Sequence, residues 1–376
     1  MTKKEIKMIR VLEVFHGMDC GGAENMIMNL YRKIDRNKVQ FDFLVHTNKK
    51  CFFDDEIEQL GGKIYRVPYF NLLNTIEYKK ALDNFFLNHS EIKLVHGHLG
   101  SSAHIYLSIA KKYGCFTIAH SHNTKPEISM KNILYRLFTF QTRYIADYFI
   151  GCGREAGEYR FGKKITSDLS RFYILNNAIN TNKYIFNQQV RKSVREEFNL
   201  KDEILLGHVG RFNYQKNHSY LLDILAILVH EKKNVKLLLV GDGNLRADIE
   251  EKAKKMGIMN HIIMTGVRRD VPRLLQGMDC FVFPSHYEGL PVTIIEAQAA
   301  DLPCVISDNI TEEVCITNLI TYASLNSRPE NWAMEINKLV VNKKRHNRKK
   351  DIIDAGYDID TTAKWLEEFY IKNIKH

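Results

Sequence analysis

The sequence predicts an α/β protein made of two Rossmann-like, doubly wound domains with an interdomain cleft. Three observations support this prediction. Short β-branched runs alternate with longer amphipathic stretches, which is typical of parallel sheets covered by helices. The alternation stops in the polar stretch 176–189 and then restarts. The chain has 376 residues, which is enough for two domains of ordinary size.

The first series of strands lies in the N-terminal half of the chain. Each candidate strand is rich in Val, Ile, Phe or Tyr, and amphipathic helices such as 24–34 and 102–114 lie between them. The predicted strands are 9–15, 41–46, 63–68, 93–98, 116–122, 148–153 and 172–177.

The second series follows the polar stretch and has the same pattern. The apolar run 218–234 is its clearest helix, and the amphipathic stretch 361–375 ends the chain. We therefore predict domains at 1–180 and 181–358, followed by a C-terminal helix within 359–376. The predicted strands are 203–211, 235–243, 261–266, 280–285 and 303–307.

The composition is that of a folded protein without membrane helices. Hydrophobic residues make up 45% and charged residues 26% of the chain. No stretch reaches the ~18 uninterrupted apolar residues that a membrane helix needs. The start of the chain has lysines but continues as a strand without a small-residue cleavage site, so we do not interpret it as a secretory signal. The seven cysteines form no C-x-x-C pair and no zinc spacing, which suits a reducing cytoplasm.

The net charge of +10 is divided unevenly. Residues 1–180 contain 26 Lys+Arg against 18 Asp+Glu; by difference from the totals of 54 and 44, residues 181–376 contain 28 against 26. An anionic membrane surface, nucleic acid or a phosphorylated substrate would each explain the basic first half, and so would a lysine-rich solvated surface. We interpret the basic run 341–350 as a solvated helix end.

Two glycines follow the first predicted strand. Gly21 and Gly22 precede a helix, where glycine lets backbone amides approach an anion. A plain tight turn is the alternative. The sequence here is not G-x-G-x-x-G, and no acid follows at the dinucleotide spacing, which argues against a nicotinamide oxidoreductase.

Two histidine pairs end neighbouring predicted strands. They are VHGH at 95–98, which includes His98, and AHSH at 119–122, which includes His120 and His122. Residues i and i+2 of a strand share a face, so a metal site is one interpretation, but no acidic partner motif accompanies the pairs and we predict no metal. The alternatives are core or surface histidines, and histidines that contact substrate hydroxyls.

The segment GRFNYQKNH at 210–218 places two cations before a long predicted helix. Arg211 and Lys216 are five residues apart in this loop. Two cations beside a helix start suit a diphosphate, because negative charge collects on it as it leaves. Solvent-facing basic residues are the alternative.

The stretch HYEGLPVTIIEAQA at 286–299 has two glutamates in an apolar run, Glu288 and Glu296. Pro291 suits the first position of a helix, so we expect the helix to begin near it. The amides of 289–292 would then form an unfilled anion site. Buried carboxylates need partners, which predicts that one glutamate binds ribose hydroxyls and the other binds a transferred sugar.

The ordered set of motifs resembles the family-four retaining glycosyltransferases of the GT-B fold, and most closely those of bacterial exopolysaccharide and capsule synthesis. The resemblance covers nearly the whole chain. The matching segments are GGAEN at 21–25, ILNNAIN at 174–180, GRFNYQKNH, VGDG at 240–243 and the E-x7-E motif at 288–296. The interdomain signature departs from the family at Asn176, Ala178 and Asn180, which replace Pro, Gly and Asp.

The resemblance implies metal-independent transfer from a nucleotide sugar with retention, for which we favour front-face attack. We expect UDP as the carrier and no cofactor. GT-B proteins also bring a C-terminal helix back to the N-terminal domain. The implied catalytic residues are His122, Glu288, Arg211 and Lys216. The implied donor-binding residues are Gly21, Gly22, Arg211, Lys216, Glu288, Gly289, Leu290, Pro291 and Glu296, and candidate sugar or acceptor contacts are His98, His120 and Asn123.

The acceptor is expected to be a saccharide on a polyprenyl diphosphate. The segment 128–150 mixes basic residues with aromatics, so it could lie at an anionic membrane surface on the cytoplasmic side, or pack as a helix on its own sheet. We expect no nucleic acid partner. The rival functions are a sugar-nucleotide epimerase with the same fold and a non-catalytic basic binding module.

Overall fold

The computed structural model describes residues 8–122, 139–231, 234–340 and 344–374. Asn123 and residues 128–138 of the segment 128–150 lie outside these ranges. The chain divides into two compact units, of which the first comprises residues 1–178 and 359–376 and the second residues 179–358.

The first unit is built on a parallel sheet. Its described residues form seven strands in the order β3-β2-β1-β4-β5-β6-β7, and every pair is parallel. The order reverses between β1 and β4, so the crevice beyond their carboxyl ends is where such a sheet binds ligands. The strands are β1 (Ile9–Phe15), β2 (Val39–Val45), β3 (Ile64–Arg66), β4 (Leu94–Gly97), β5 (Phe116–Ser121), β6 (Tyr148–Gly151) and β7 (Phe172–Ile174).

Helices lie on both faces of this sheet. As a result, β2 is buried along its whole length, and its two polar residues have partners, Gln40 with Tyr31 and Asp42 with Arg10. Two apolar clusters, one on each side, form the core of the unit. The helices in the described part of the chain before residue 178 are α1 (Gly22–Lys33), α2 (Asp54–Gln59), α3 (Thr75–Asn88), α4 (Ala103–Lys112), α5 (Thr142–Ile145), α6 (Arg154–Phe161) and α7 (Lys163–Thr166).

The second unit repeats this plan. Its described strands form a six-stranded parallel sheet in the order β10-β9-β8-β11-β12-β13, with the reversal between β8 and β11. The strands are β8 (Ile204–Val209), β9 (Val235–Val240), β10 (Ile262–Gly266), β11 (Cys280–Phe283), β12 (Cys304–Ser307) and β13 (Ile320–Ala323). The helices are α8 (Gln188–Glu197), α9 (His218–His230), α10 (Arg246–Lys255), α11 (Val271–Gly277), α12 (Val292–Ala299), α13 (Pro329–Leu339) and α14 (Lys349–Asp354).

The last helix, α15 (Ile359–Asn373), belongs to the first unit. Leu366 and Tyr370 are buried in that unit's core. Trp365 stacks on Tyr173 of β7 with ring centroids 3.7 Å apart, and Glu367 pairs with Lys38 at 2.9 Å. The predicted α/β class with two doubly wound domains and a returning C-terminal helix is therefore confirmed.

The interpretation of 341–350 as a solvated helix end holds for the exposed residues Lys344, His346, Asn347 and Lys350, but it is wrong for Arg345 and Arg348. Arg345 donates to the carbonyl oxygens of Leu275 and Gln276 in the last turn of α11, whose carbonyls have no helical partner. Burial lowers the pKa of Arg345 to about 10. Arg348 forms an ion pair with buried Asp301 at 2.6 Å. These two arginines tie the segment before α14 to the second unit.

No helix in the described part of the chain has the length and apolarity to cross a bilayer. Long helices such as α3 and α9 carry polar side chains on one side.

Candidate active site

The loop after β8 carries Arg211 and Lys216 to the switch point of the second unit. Asn213 accepts a hydrogen bond from the Lys216 amide at 3.2 Å and so fixes a short turn of 3-10 helix. The glycine turn after β9 packs directly on this loop, because a Cβ at Gly243 would lie only 2.4 Å from the Phe212 oxygen. Position 241 also requires glycine, because residues with a side chain rarely adopt its φ of +139°.

Lys216 and Glu288 form an ion pair, with 2.6 Å between Nζ and Oε1. The two side chains are only 16% and 8% exposed, so their attraction is weakly screened. Gln215 donates to Glu288 Oε2 at 3.1 Å and to the Tyr287 carbonyl at 3.0 Å. The Lys216 ammonium also lies 4.6 Å from the centroid of the Phe283 ring. Two segments 72 residues apart in sequence therefore meet here; each was predicted to be part of the site, but their direct pairing was not.

The helix α12 begins at Val292, one residue after the predicted start. Pro291 is the capping residue, with extended backbone, and no side chain caps the first turn. Thr293 in that turn has a buried hydroxyl without a partner among the described residues. Gly289 is exposed in the loop before it. The first-turn amides are thus available for an anion, as expected of an uncapped N-terminus.

Glu296 lies one turn further along α12. Its Oε1 accepts a hydrogen bond of 2.5 Å from the Tyr184 hydroxyl. Burial raises the pKa of Glu296 to about 7, and the bond from Tyr184 works against that shift. Tyr184 was not predicted, although it is the one aromatic hydroxyl in the polar stretch 176–189.

Arg211 lies in the same loop as Lys216 and is exposed. Within the described residues its guanidinium forms no ion pair or hydrogen bond. A free cation beside the paired Lys216 agrees with the predicted anion site, because an exposed guanidinium keeps all five donors for a ligand.

The first unit has a cluster of four histidines at the carboxyl ends of β4 and β5, which we call the histidine cluster (His96, His98, His120 and His122). His98 Nδ1 and His122 Nε2 are 2.7 Å apart, and His96 Nε2 and His120 Nδ1 are 3.1 Å apart. Burial lowers the pKa of all four rings, and that of His122 to about 3 with a contribution from Arg160. The histidine cluster is therefore neutral at pH 7.

Two residues that the sequence did not single out complete this network. Glu13 of β1 is fully buried, and its Oε2 lies 2.7 Å from His98 Nε2. Tyr370 of α15 donates to Glu13 Oε1 at 3.1 Å, and its oxygen lies 2.6 Å from His96 Nδ1. An acid in the apolar run IRVLEVF was the available signal for Glu13.

Ring nitrogens of His96, His98 and His120 lie within 4.8 Å of one another, a spacing that a metal ion could use. In the described structure, however, both nitrogens of His96 and both of His98 already have hydrogen-bond partners. The nitrogens that would bind a metal are therefore already engaged in hydrogen bonds of the network. The absence of a metal remains a prediction.

Among the predicted sugar contacts, His122 is the best placed. It is partly exposed at the end of β5, whereas His120 is fully buried and His98 uses both ring nitrogens inside the network. Asn123 lies outside the described residues. These roles stay predictions.

Gly21 and Gly22 begin α1. Gly22 is exposed and open, but a Cβ at Gly21 would collide with the Glu24 carboxylate. The Glu24 side chain thus folds back over the first turn of α1, where its carboxylate accepts a hydrogen bond from the backbone amide of Glu24 itself. An anion approaching these glycines would have to compete with Glu24.

The fold matches that of a solved structure. The crystal structure of Anabaena HepE in complex with UDP superposes with a TM-score of 0.79, covering 97% of this chain and 100% of that chain at 16% sequence identity. The protein therefore has the GT-B fold.

The family follows from sequence. The family model "Glycosyl transferases group 1" matches residues 190–358. EpsF of Bacillus subtilis (strain 168), named as a glycosyltransferase, is 36% identical over 370 residues, which is 96% of each chain. The chain belongs to the group 1 glycosyltransferases, and the predicted resemblance is confirmed.

Two further relatives carry more specific names. The capsular polysaccharide biosynthesis glycosyltransferase CapH of Staphylococcus aureus is 27% identical over 376 residues, covering 97% of this chain and 99% of CapH. An Escherichia coli UDP-Gal:alpha-D-GlcNAc-diphosphoundecaprenol alpha-1,3-galactosyltransferase is 34% identical over 111 residues, or 29% of this chain and 28% of that protein. The protein is thus a transferase related to enzymes of capsule and exopolysaccharide synthesis.

Proposed function

We propose that the protein is a retaining glycosyltransferase that moves a hexose or N-acetylhexosamine from a nucleotide sugar to a lipid-linked saccharide. The product would belong to a bacterial exopolysaccharide, capsule or O-antigen. The observation that carries the proposal is the ion pair of Lys216 and Glu288 beside the uncapped first turn of α12. It lies at the carboxyl ends of β8 and β11, where a sheet of this order binds ligands.

The donor diphosphate would be held by Lys216, Arg211 and the first amides of α12. An ammonium has three N–H donors, so Lys216 can keep Glu288 and also bind a phosphate oxygen. Glu288 fixes the direction of the Lys216 side chain, and its Oε2, which accepts from Gln215, has a second lone pair for a sugar hydroxyl. Fixed cations and amides stabilise the negative charge that grows on the leaving diphosphate.

The ribose would be bound by Glu296. Its Oε1 is occupied by Tyr184, and its Oε2 has no partner among the described side chains. An oriented carboxylate oxygen of this kind accepts a hydroxyl hydrogen strongly when it is ionised.

Front-face attack explains retention with these residues. The acceptor oxygen would bond to the anomeric carbon on the face that the phosphate oxygen leaves, and the acceptor proton would pass to that phosphate oxygen. Glu288 is bound by Lys216 and Gln215, so it is not set up as a nucleophile. His122 is neutral and would contact the transferred sugar. The cations of the loop supply the charge that a metal supplies elsewhere, so we propose metal-independent transfer without a cofactor.

UDP is the proposed carrier, and a polyprenyl diphosphate carries the proposed acceptor. HepE has the same fold and its structure contains UDP. The Escherichia coli relative is named for a UDP-sugar donor and a diphosphoundecaprenol-linked acceptor. The proposal is supported by the similarity of this chain to these two proteins, in fold to HepE and in sequence to the Escherichia coli transferase.

The proposed location is the cytoplasm, at the inner face of the plasma membrane. An exposed apolar turn before α3 (residues 69–76) supports membrane contact. Leu73 is 99% exposed, and Tyr69, Leu72 and Ile76 are exposed beside it. Lys79 and Lys80 follow in α3, where they would face anionic headgroups.

A donor panel tests the proposed reaction. The release of free UDP or GDP is measured for several nucleotide sugars, with and without a polyprenyl-diphosphate-linked saccharide. We expect release from one UDP-sugar that depends on the acceptor, and a loss of about 100-fold or more in Glu288→Ala.

The matched control is Glu251→Ala, because Glu251 is an exposed glutamate on α10 of the same unit. It should retain the wild-type rate. Consumption of a UDP-sugar without release of UDP would instead identify an epimerase, and a Glu288→Ala variant with full activity would contradict the proposed site.

A further inference from the structure

A continuous hydrogen-bond path leads from the core of the first unit to His122. It begins at buried Glu13, whose Oε2 is 2.7 Å from His98 Nε2, and continues from His98 Nδ1 to His122 Nε2, also 2.7 Å. The ring of His98 is stacked on Phe15 with centroids 4.2 Å apart, so it cannot turn freely. Of the three residues in the path, only His122 is partly exposed.

Two proton arrangements satisfy this path, and they differ at its outer end. When Glu13 is ionised, it accepts from His98 Nε2–H, His98 Nδ1 accepts from His122 Nε2–H, and His122 Nδ1 is left as an acceptor. When Glu13 is protonated, its O–H donates to His98 Nε2, His98 Nδ1–H donates to His122 Nε2, and His122 Nδ1–H is left as a donor. Each neutral ring carries one N–H, so one proton on Glu13 reverses both rings.

We propose that Glu13 is a positioning residue that selects, through His98, whether His122 presents a hydrogen-bond donor or an acceptor to the sugar hydroxyl. The last part of this inference rests on the proposed role of His122 as the sugar-contacting histidine. The path itself does not depend on that role.

The surroundings of Glu13 accommodate both states. Tyr370 of α15 donates to Oε1, and His96 of β4 lies 3.4 Å from Oε2 on the other side. Beyond them are His120 of β5 and Arg160 of α6, which donates to the His120 carbonyl at 2.8 Å and helps to lower the pKa of His120, an effect that is mainly due to burial. Burial raises the pKa of Glu13 well above its usual value, and the Tyr370 bond works against that shift. Glu13 therefore titrates well above the range of ordinary carboxyls.

The test is the tautomer of His122, read from two-bond 1H–15N NMR spectra of protein labelled at the histidine rings. His122→Gln assigns the signal by its loss. In the wild type we expect Nδ1–H at low pH and Nε2–H at high pH, with a single change where Glu13 ionises. In Glu13→Gln the Tyr370 hydroxyl donates to the amide oxygen and leaves the NH2 group facing His98 Nε2, so we expect His122 to stay Nδ1–H throughout.

A second variant covers the case in which Glu13→Gln does not fold. Tyr370→Phe removes the hydroxyl that donates to the ionised Glu13 carboxylate, so the tautomer change should move to higher pH. The proposal would be overturned if His122 kept one and the same tautomer at every pH in both the wild type and Glu13→Gln. It would also be overturned if the pH at the midpoint of the tautomer change were the same in Tyr370→Phe as in the wild type.

Activity adds a separate readout. If the protein is a transferase, the pH profile of kcat should contain a step at the tautomer midpoint, and this step should disappear in Glu13→Gln. A change of the His122 tautomer in a protein that shows no transfer would refute the proposed function but not the proposed role of Glu13. Transfer without any tautomer change would refute the role of Glu13 alone.

Discussion

At the scale of single residues, Glu296 links donor binding to pH. Its pKa of about 7 results from burial, and Tyr184 partly offsets that effect by donating to the carboxylate. A ribose hydroxyl donates more strongly to the ionised form than to the neutral form. We therefore expect nucleoside diphosphate affinity to rise as pH rises through about 7.

Tyr184→Phe tests this link. Removing a donor to the carboxylate disfavours its ionised form, so the pKa of Glu296 should rise further, by roughly one unit for a bond worth about 1 kcal/mol. The midpoint of the affinity–pH curve, measured by calorimetry with UDP, should move up by the same amount. A matched control is Tyr220→Phe, because the Tyr220 hydroxyl donates to the Ser327 carbonyl and not to Glu296. A midpoint that stays in place would show that Glu296 does not govern binding.

The sequence identifies some of these residues and not others, for a physical reason. Lys216 and Glu288 are recognisable because they follow strands in a motif with a glycine and a proline. Tyr184 bonds a residue 112 positions away, and Tyr370 bonds one 357 positions away. Such partners become neighbours only when the sheets form, so local pattern does not distinguish them from ordinary core aromatics.

At the scale of elements, apolar runs predict strand positions well and strand ends less well. The first strand has its predicted bounds, 9–15. The strand predicted at 203–211 ends at Val209, because Gly210 and Arg211 already belong to the loop that carries Lys216. The strand β13 (Ile320–Ala323) was missed, since its four residues are only half-buried and lie in a polar context.

The exposed apolar turn yields an element-scale prediction. The variant Leu73→Ser/Ile76→Ser should lower binding to anionic liposomes by about tenfold or more in a flotation assay at physiological salt, because two exposed aliphatic side chains would no longer enter the bilayer interface. The matched control is Leu169→Ser, because Leu169 is 76% exposed elsewhere in the same unit. Wild-type protein that does not float with anionic vesicles would refute the membrane proposal.

At the scale of the whole molecule, alternation of strands and helices is enough to predict two doubly wound units. Each unit has its own switch point, with the histidine cluster at one and the Lys216–Glu288 pair at the other. The sequence could not predict that Arg345 and Arg348 anchor the segment before α14, because a basic run is usually solvated. Arg345 depends on carbonyls that the folded helix α11 presents, and Arg348 depends on the buried carboxylate of Asp301.

The central claim is that the uncapped start of α12, with Lys216 and Arg211, binds a nucleoside diphosphate. Calorimetric titration with UDP, and with GDP in parallel, tests it most directly. We predict that the wild type and the exposed control Lys255→Ala bind alike, whereas Lys216→Ala loses about 10- to 100-fold in affinity, the value of one charged hydrogen bond. Equal affinity in Lys216→Ala and wild type, or no binding of either nucleotide to the wild type, would contradict the account.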